Sequence, residues 1–301
     1  MADDSTADRI RKLVKPLRVK PGQKVDLASK DWDPGATADF VAKEDATDML
    51  AEGVASLADY QARLAAQDTW SVLVILQAMD AAGKDGTISH VMSGVNPQGV
   101  EVTSFKVPSA LEQDHDYLWR AALRLPARGM IGIFNRSYYE ELLVVRVHPE
   151  ILAGERMPAE AKGPDVWKRR FREINDWEHY LTDNGTRIVK LFLHVSKDEQ
   201  RKRFLDRIDQ PDSNWKFSAA DARERKYWDD YQNAYADLLE NTSTDRAPWH
   251  VIPADHKWFM RVAASAVILD ALMDINPQYP VASDAAKAEM ALAKTELLAG
   301  G

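Results

Sequence analysis

Lys84 directly follows a glycine at the end of SVLVILQAMDAAGKDG (71–86), and aspartates stand on either side of that pair at Asp80 and Asp85. These residue types in this order suit the holding of phosphate. Backbone N–H groups of a tight turn and of the helix after it face the anion, and the lysine reaches further along the phosphate chain. The common phosphate-loop pattern asks for a glycine earlier in the loop and a hydroxyl residue after the lysine. This chain has Ala78 and Asp85 at those places. Ala82, Gly83, Lys84, Asp85, Gly86 and Thr87 are therefore the candidate phosphate- and nucleotide-binding residues of the segment. Asp80 and Asp85 bring carboxylate oxygens in place of the hydroxyl, which suit a hard cation that keeps most of its waters, so both are candidate Mg²⁺ ligands. In the plainer alternative, Gly83 serves only a turn and Lys84 is solvated on an exposed loop.

Phosphoryl transfer needs alignment, and cations around the charge spread over the equatorial oxygens, more than it needs covalent help. Arg136, at the end of the apolar run Met130–Phe134, joins Asp80 and Lys84 as a candidate catalytic residue. Asn135, beside it, can bind a phosphate oxygen or a metal-bound water without adding charge. A third source of cations is the stretch of about 197–226, read as an Arg-rich helical lid with Arg203, Arg207, Lys216 and Arg223 as phosphate-chain-binding candidates. Arg203 and Arg207 share a helix face at their spacing and could grip successive phosphates. A lid of this kind excludes water and so prevents wasteful hydrolysis. The alternative is a surface helix with Arg203 or Arg207 paired to Glu199 or Asp206. His148 and His194 lack metal-ligand spacing and read as structural. There is no cysteine, and no Ser-His-Asp grouping supports covalent chemistry.

Alternating strands and helices are needed to bring these residues to one place. Val72–Leu76 is a continuous aliphatic run, as in a strand buried on both faces. Val100–Val107, Met130–Phe134, Ile188–Val195 and Trp249–Pro253 are the other strand candidates. Helical patterns cover 42–67, 87–92, 111–125, 164–184, 196–208, 219–241, 258–273 and 284–298. Ser196 with Glu199 has the spacing of a capping box. Residues 1–36, rich in proline and glycine, read as an extended arm over the core. The expected fold is α/β, with a parallel sheet covered by helices on both faces. Ligands then sit beyond the carboxyl ends of the strands, where Lys84, Arg136 and the helix starting at Ser196 all fall.

A length of 301 residues, with 45% hydrophobic and 29% charged, is ordinary for a soluble globular protein. The start, MADDSTADRIRKL, lacks the basic and apolar parts of a signal peptide, and the longest apolar runs are strand-length. The expectation is a cytoplasmic protein that meets neither membrane nor nucleic acid, in keeping with a net charge of −8. Basic clusters at 168–172, 201–207 and 223–226 could still draw a polyanion into one groove.

Six segments occur in an order that resembles the second polyphosphate kinase family. They are MDAAGKDGTI (79–88), GVNPQGVEVTSFKVP (94–108), FNRSYYEE (134–141), EQRKRFLDRI (199–208), WDDY (228–231) and TSTDRAPWHVIPADHKWF (242–259). The resemblance spans roughly residues 40–280 and implies a three-layer P-loop kinase-like fold at 41–280, with an N-terminal extension at 1–40 and a tail helix at 281–301. It implies Mg²⁺-dependent transfer of a terminal phosphoryl group between inorganic polyphosphate and nucleotides, with roles for Asp80, Lys84, Asp85, Arg136 and Arg203. Many relatives have Asp-Arg where this chain has Asn135-Arg136. The form here resembles the subgroup that accepts AMP and ADP, with guanine nucleotides as further acceptors. Assembly as a homodimer or homotetramer is implied by the family alone. The competing readings are an ATP-dependent nucleoside monophosphate kinase of the thymidylate kinase kind and a non-catalytic polyphosphate- or nucleotide-binding module.

Overall fold

The five strand candidates become the strands of one sheet: β1 (Ser71–Ala78), β2 (Val100–Ser104), β3 (Ile131–Asn135), β4 (Thr186–His194) and β5 (Trp249–Pro253). Their spatial order is β2-β3-β1-β4-β5, and every pairing is parallel. The computed structural model describes residues 4–211, 214–216 and 218–299. β1 is buried at all of its positions, as a continuous aliphatic strand covered on both faces must be. β2 lies at the edge and buries none of its residues. Leu76 pairs with Asn135 and Ala78 with Leu193, so β1, β3 and β4 finish at neighbouring points. The chain leaving β1 passes to one side of the sheet and the chain leaving β3 to the other. Such a reversal opens a crevice beyond the carboxyl ends of those two strands.

Helices before β4 are α1 (Asp4–Val14), α2 (Ala46–Gln67), α3 (Lys84–Val91), α4 (Ala110–Gln113), α5 (Trp119–Ala122), α6 (Val144–Val147), α7 (Pro149–Gly154) and α8 (Val166–Asp183). After it come α9 (Lys197–Asp209), α10 (Ala219–Glu224), α11 (Trp228–Thr242), α12 (Lys257–Ile275) and α13 (Asp284–Ala299). α12 packs against β4 and β5 on one side and against α1, α2 and α3 on others. That explains why it is apolar almost all round, with Val262–Leu269 buried without interruption. α8 packs on β4, and α11 packs on α8 and α6. Among the described residues, no helix is long and apolar enough to cross a membrane.

Three expectations need correction. The 1–36 arm contains a helix, and Leu13, Leu17, Val19 and Trp32 belong to the same core as the sheet. Its backbone is tied to β5 by the Val19 N–H donating to the Trp249 carbonyl at 2.9 Å. The helix expected over 111–125 is two short ones, because Asp116 caps the Leu118 N–H at 2.9 Å and starts a new turn. The helix expected over 219–241 breaks at Arg225–Tyr227 into α10 and α11, beside a Glu224 that accepts from Tyr231 at 3.3 Å.

A buried polar network fixes the turn after β3. Lys190 Nζ on β4 donates to Glu178 on α8 at 2.6 Å, to the Thr242 carbonyl at 2.6 Å and to the Tyr139 hydroxyl at 3.0 Å. Tyr138 and Tyr139 each donate to Glu178 Oε1 at 2.7 Å. Removing Lys190 or Glu178 would leave the other as an uncompensated buried charge. The turn it anchors carries Arg136.

Candidate active site

After Ala78 the chain turns through Met79–Gly83 and enters α3 at Lys84. Ala81 (φ 62°) and Gly83 (φ 114°) both take left-handed backbone conformations. At Gly83 the left-handed backbone calls for glycine, and a side chain would also press on Met260 Cε at 3.1 Å. Lys84 is half-buried rather than exposed, and its Nζ folds back to donate to the Ala78 carbonyl at 2.9 Å. Burial, and then the nearby Arg136 cation, push its pKa down to about 8.

The end of β3 faces this loop. Arg136, also left-handed at φ 62°, donates through Nη2 to Asp80 Oδ1 at 2.6 Å and through Nη1 to Glu140 at 3.4 Å. Burial alone would lower the Arg136 pKa, but Glu140 and Asp80 outweigh it and raise it above its ordinary value. Asn135 Nδ2 donates to Asp85 Oδ1 at 2.6 Å. Each loop carboxylate is therefore held by one β3-end residue. A second carboxylate at 135 would instead face Asp85 with like charge.

α9 closes the back of the loop. Gln200 Nε2 donates to the Asp80 carbonyl at 2.9 Å. Arg203 is 5% exposed and reaches the carbonyls of Ala81 (3.2 Å), Ala82 (2.6 Å), Ala254 (2.6 Å) and Asp255 (3.1 Å). Its Nε donates to Glu199 at 2.9 Å. Arg203, expected to grip a ligand phosphate, lines the cleft in front of this loop, but here its N–H donors serve the chain's own loop. The capping box is half-formed for the same reason. The Ser196 side chain accepts the Glu199 N–H at 3.1 Å, while Glu199 turns to Arg203 and Asp255 takes the Ser196 N–H at 2.8 Å.

A cleft of about 1550 Å³ opens in front of these elements. Asp80, Gly83, Lys84, Asp85, Gly86, Asn135 and Arg136 line it together. Ala82 and Thr87 do not: both are buried, and the Thr87 hydroxyl donates to the Gly83 carbonyl at 3.0 Å. Arg207 lines the cleft half-buried, whereas Arg223 is exposed on α10 and Asp221 of that helix lines the cleft instead. The Lys216 side chain lies outside the described residues.

Sequence reasoning missed Lys257 and Arg261, one turn apart at the start of α12, which also line the cleft. They follow the end of β5, so the strand-end argument that found Lys84 and Arg136 could have found them. Burial lowers the pKa of both, and Arg203 adds to the effect at Lys257. The Arg261 Nε is buried without a hydrogen-bond partner among the described residues.

A parallel sheet with a glycine-lysine turn after its central strand, and cations gathered at the strand ends, defines a phosphotransferase of P-loop kinase-like fold. The chain belongs to the polyphosphate kinase 2 family, whose model, Polyphosphate kinase 2 (PPK2), matches residues 41–280. It is 51% identical over 285 residues to an ADP-polyphosphate phosphotransferase of Rhodopseudomonas palustris, covering 94% of this chain and 98% of that one. An AMP/ADP-polyphosphate phosphotransferase of Meiothermus ruber is 44% identical over 268 residues, covering 89% of this chain and 96% of the relative. The crystal structure of polyphosphate kinase 2 from Arthrobacter aurescens superposes with a TM-score of 0.84 at 43% identity, covering 94% of this chain and 96% of that one.

Proposed function

We propose that this chain moves the terminal phosphoryl group between inorganic polyphosphate and nucleotides, taking AMP to ADP and ADP to ATP in reversible steps. The observation that carries the reading is the meeting of Lys84, Arg136, Asp80 and Asp85 at the glycine-lysine turn after β1, inside a cleft bordered by further cations. Lys84 and Arg136 set positive charge where the transferring group gathers negative charge, and the turn's N–H groups orient its oxygens. Asp80 and Asp85 fit Mg²⁺, since that ion takes one or two carboxylates with phosphate oxygens and water, and Arg136 and Asn135 each engage the Oδ1 atom of one carboxylate. When bound, Mg²⁺ supplies neutralisation of charge on the phosphate oxygens. Arg207, Lys257 and Arg261 then form the track for the polyphosphate chain. Assembly as a homodimer or homotetramer belongs to the same reading.

Acceptor choice rests on Asn135. Its amide donates to Asp85 where a carboxylate would repel it, so one negative charge fewer stands beside the phosphates. That supports acceptance of both AMP and ADP, as in the name of the Meiothermus relative. Incubation of AMP with polyphosphate and Mg²⁺, and no ATP, is expected to give ADP first and ATP later. Consumption of ADP but never AMP would make the chain diphosphate-specific and the Asn135 argument wrong. Turnover of AMP only after ATP is added would favour the nucleoside monophosphate kinase. Binding of polyphosphate without any turnover would favour a non-catalytic module.

A further inference from the structure

None of the residues of α13 is buried, although with 16 residues it is one of the longer helices. Met290 is 55% exposed and Leu297 78%. Its Lys287–Asp284 ion pair and its hydrogen bonds to Ser283 and from Thr295 to Ala291 all stay within its own segment. A lone helix of this length is marginal in water, so this one needs a surface to pack on.

The sequence of α13 indicates what that surface is. Ala286, Met290, Ala293 and Leu297 recur at alternating steps of four and three, which places them on one seam of the helix. Lys287 and Lys294 follow the seam on one flank, and Glu289 and Glu296 precede it on the other. We infer that α13 pairs in parallel with α13 of a second copy of this chain. In that arrangement, Glu289 of each copy faces Lys294 of the other across the seam. An antiparallel pairing would bring glutamate against glutamate and lysine against lysine, so charge selects the parallel form. The small side chains of Ala286 and Ala293 let the two backbones approach closely. The contact is isologous, with a two-fold axis running along the helices.

This deepens the expected homo-oligomeric assembly by naming a surface for it. Sedimentation equilibrium tests the full chain, the Glu289→Lys, Lys294→Glu and doubly exchanged full chains, and the chain ending at Val281. Truncation is expected to lower the mass by about half at the same concentration, one two-fold contact being lost. Each single exchange puts like charges across the seam and is expected to raise the dissociation constant roughly tenfold. The double exchange restores opposite charges and is expected to restore the association. A chain ending at Val281 with the mass of the full chain overturns the assignment, and leaves assembly through another surface standing. Single exchanges that leave the dissociation constant unchanged, or a full chain that is monomeric throughout, overturn it as well.

Discussion

Lys84 has to be charged to do its work, yet the fold makes charging it harder than in water. Its ammonium is half-buried beside Arg136, and the pKa of about 8 follows from burial first and that neighbour second. An arriving polyanion favours the protonated form, so binding takes up a proton once the free protein has begun to lose it. Polyphosphate affinity is therefore expected to fall as pH rises through about 8, because the free lysine becomes neutral there. A Lys84→Arg variant keeps its charge throughout and should flatten that alkaline fall; binding titrations across the range check this. If wild type and Lys84→Arg decline together, another group titrates. Lys84→Ala loses one preorganised cation, and its rate is expected to drop on the order of a hundredfold or more. The lost Nζ hydrogen bond to Ala78 should cost only about 1 kcal/mol of stability, so thermal unfolding separates a chemical loss from a structural one.

Elements decide whether a basic residue meets ligand or protein, and there the sequence was only partly legible. Apolar runs mark the buried strands β1 and β3, because a strand covered on both faces tolerates little else, whereas the edge strand β2 shows as an alternating pattern. The convergence of Lys84, Asn135 and Arg136 follows from strand ends in a parallel sheet, so it too can be read in advance. Arg203 cannot be read that way. Its helical spacing to Arg207 suggests a shared task, but the partners of Arg203 are carbonyls as far as 122 residues away in the chain. Only the packing of α9 against the loop brings them together. A separation of 50 residues likewise hides the pairing of Asn135 with Asp85. Arg203 lines the cleft as Arg207 does, but its donors brace the loop against the end of β5, which makes it a positioning residue. Lysine has no planar fork with which to serve four carbonyls. Arg203→Lys is expected to lower kcat with either substrate varied, through a loosened loop. Arg203→Ala should also destabilise the fold by about 3 kcal/mol or more, since buried carbonyls lose their donors. Arg207→Ala should raise KM for polyphosphate and leave the nucleotide KM nearly unchanged. A purely polyphosphate-specific defect in Arg203→Lys would return that residue to a ligand-gripping role.

At the scale of the whole molecule, a net charge of −8 repels a distant polyanion, while the cations at the strand ends of the cleft attract it locally. The two effects have different ranges. Exposed charges act over roughly 10 Å at moderate ionic strength, and salt weakens them together. Inside the cleft a long polyphosphate can contact Lys84, Arg136, Arg207, Lys257 and Arg261 at once, each contact displacing a counterion. A nucleotide carries few phosphates and can touch only some of these cations. The affinity of polyphosphate is therefore expected to fall with added salt more steeply than that of ADP, when both are measured by equilibrium binding on the same preparation. Replacing Lys257 or Arg207 by alanine should weaken polyphosphate binding and lower the slope of its log affinity against log salt by about one unit per cation removed. Neither replacement should change the slope for ADP by a comparable amount. Parallel salt slopes for the two ligands, or a polyphosphate slope that ignores both replacements, would mean that the chain of phosphates does not run along the start of α12.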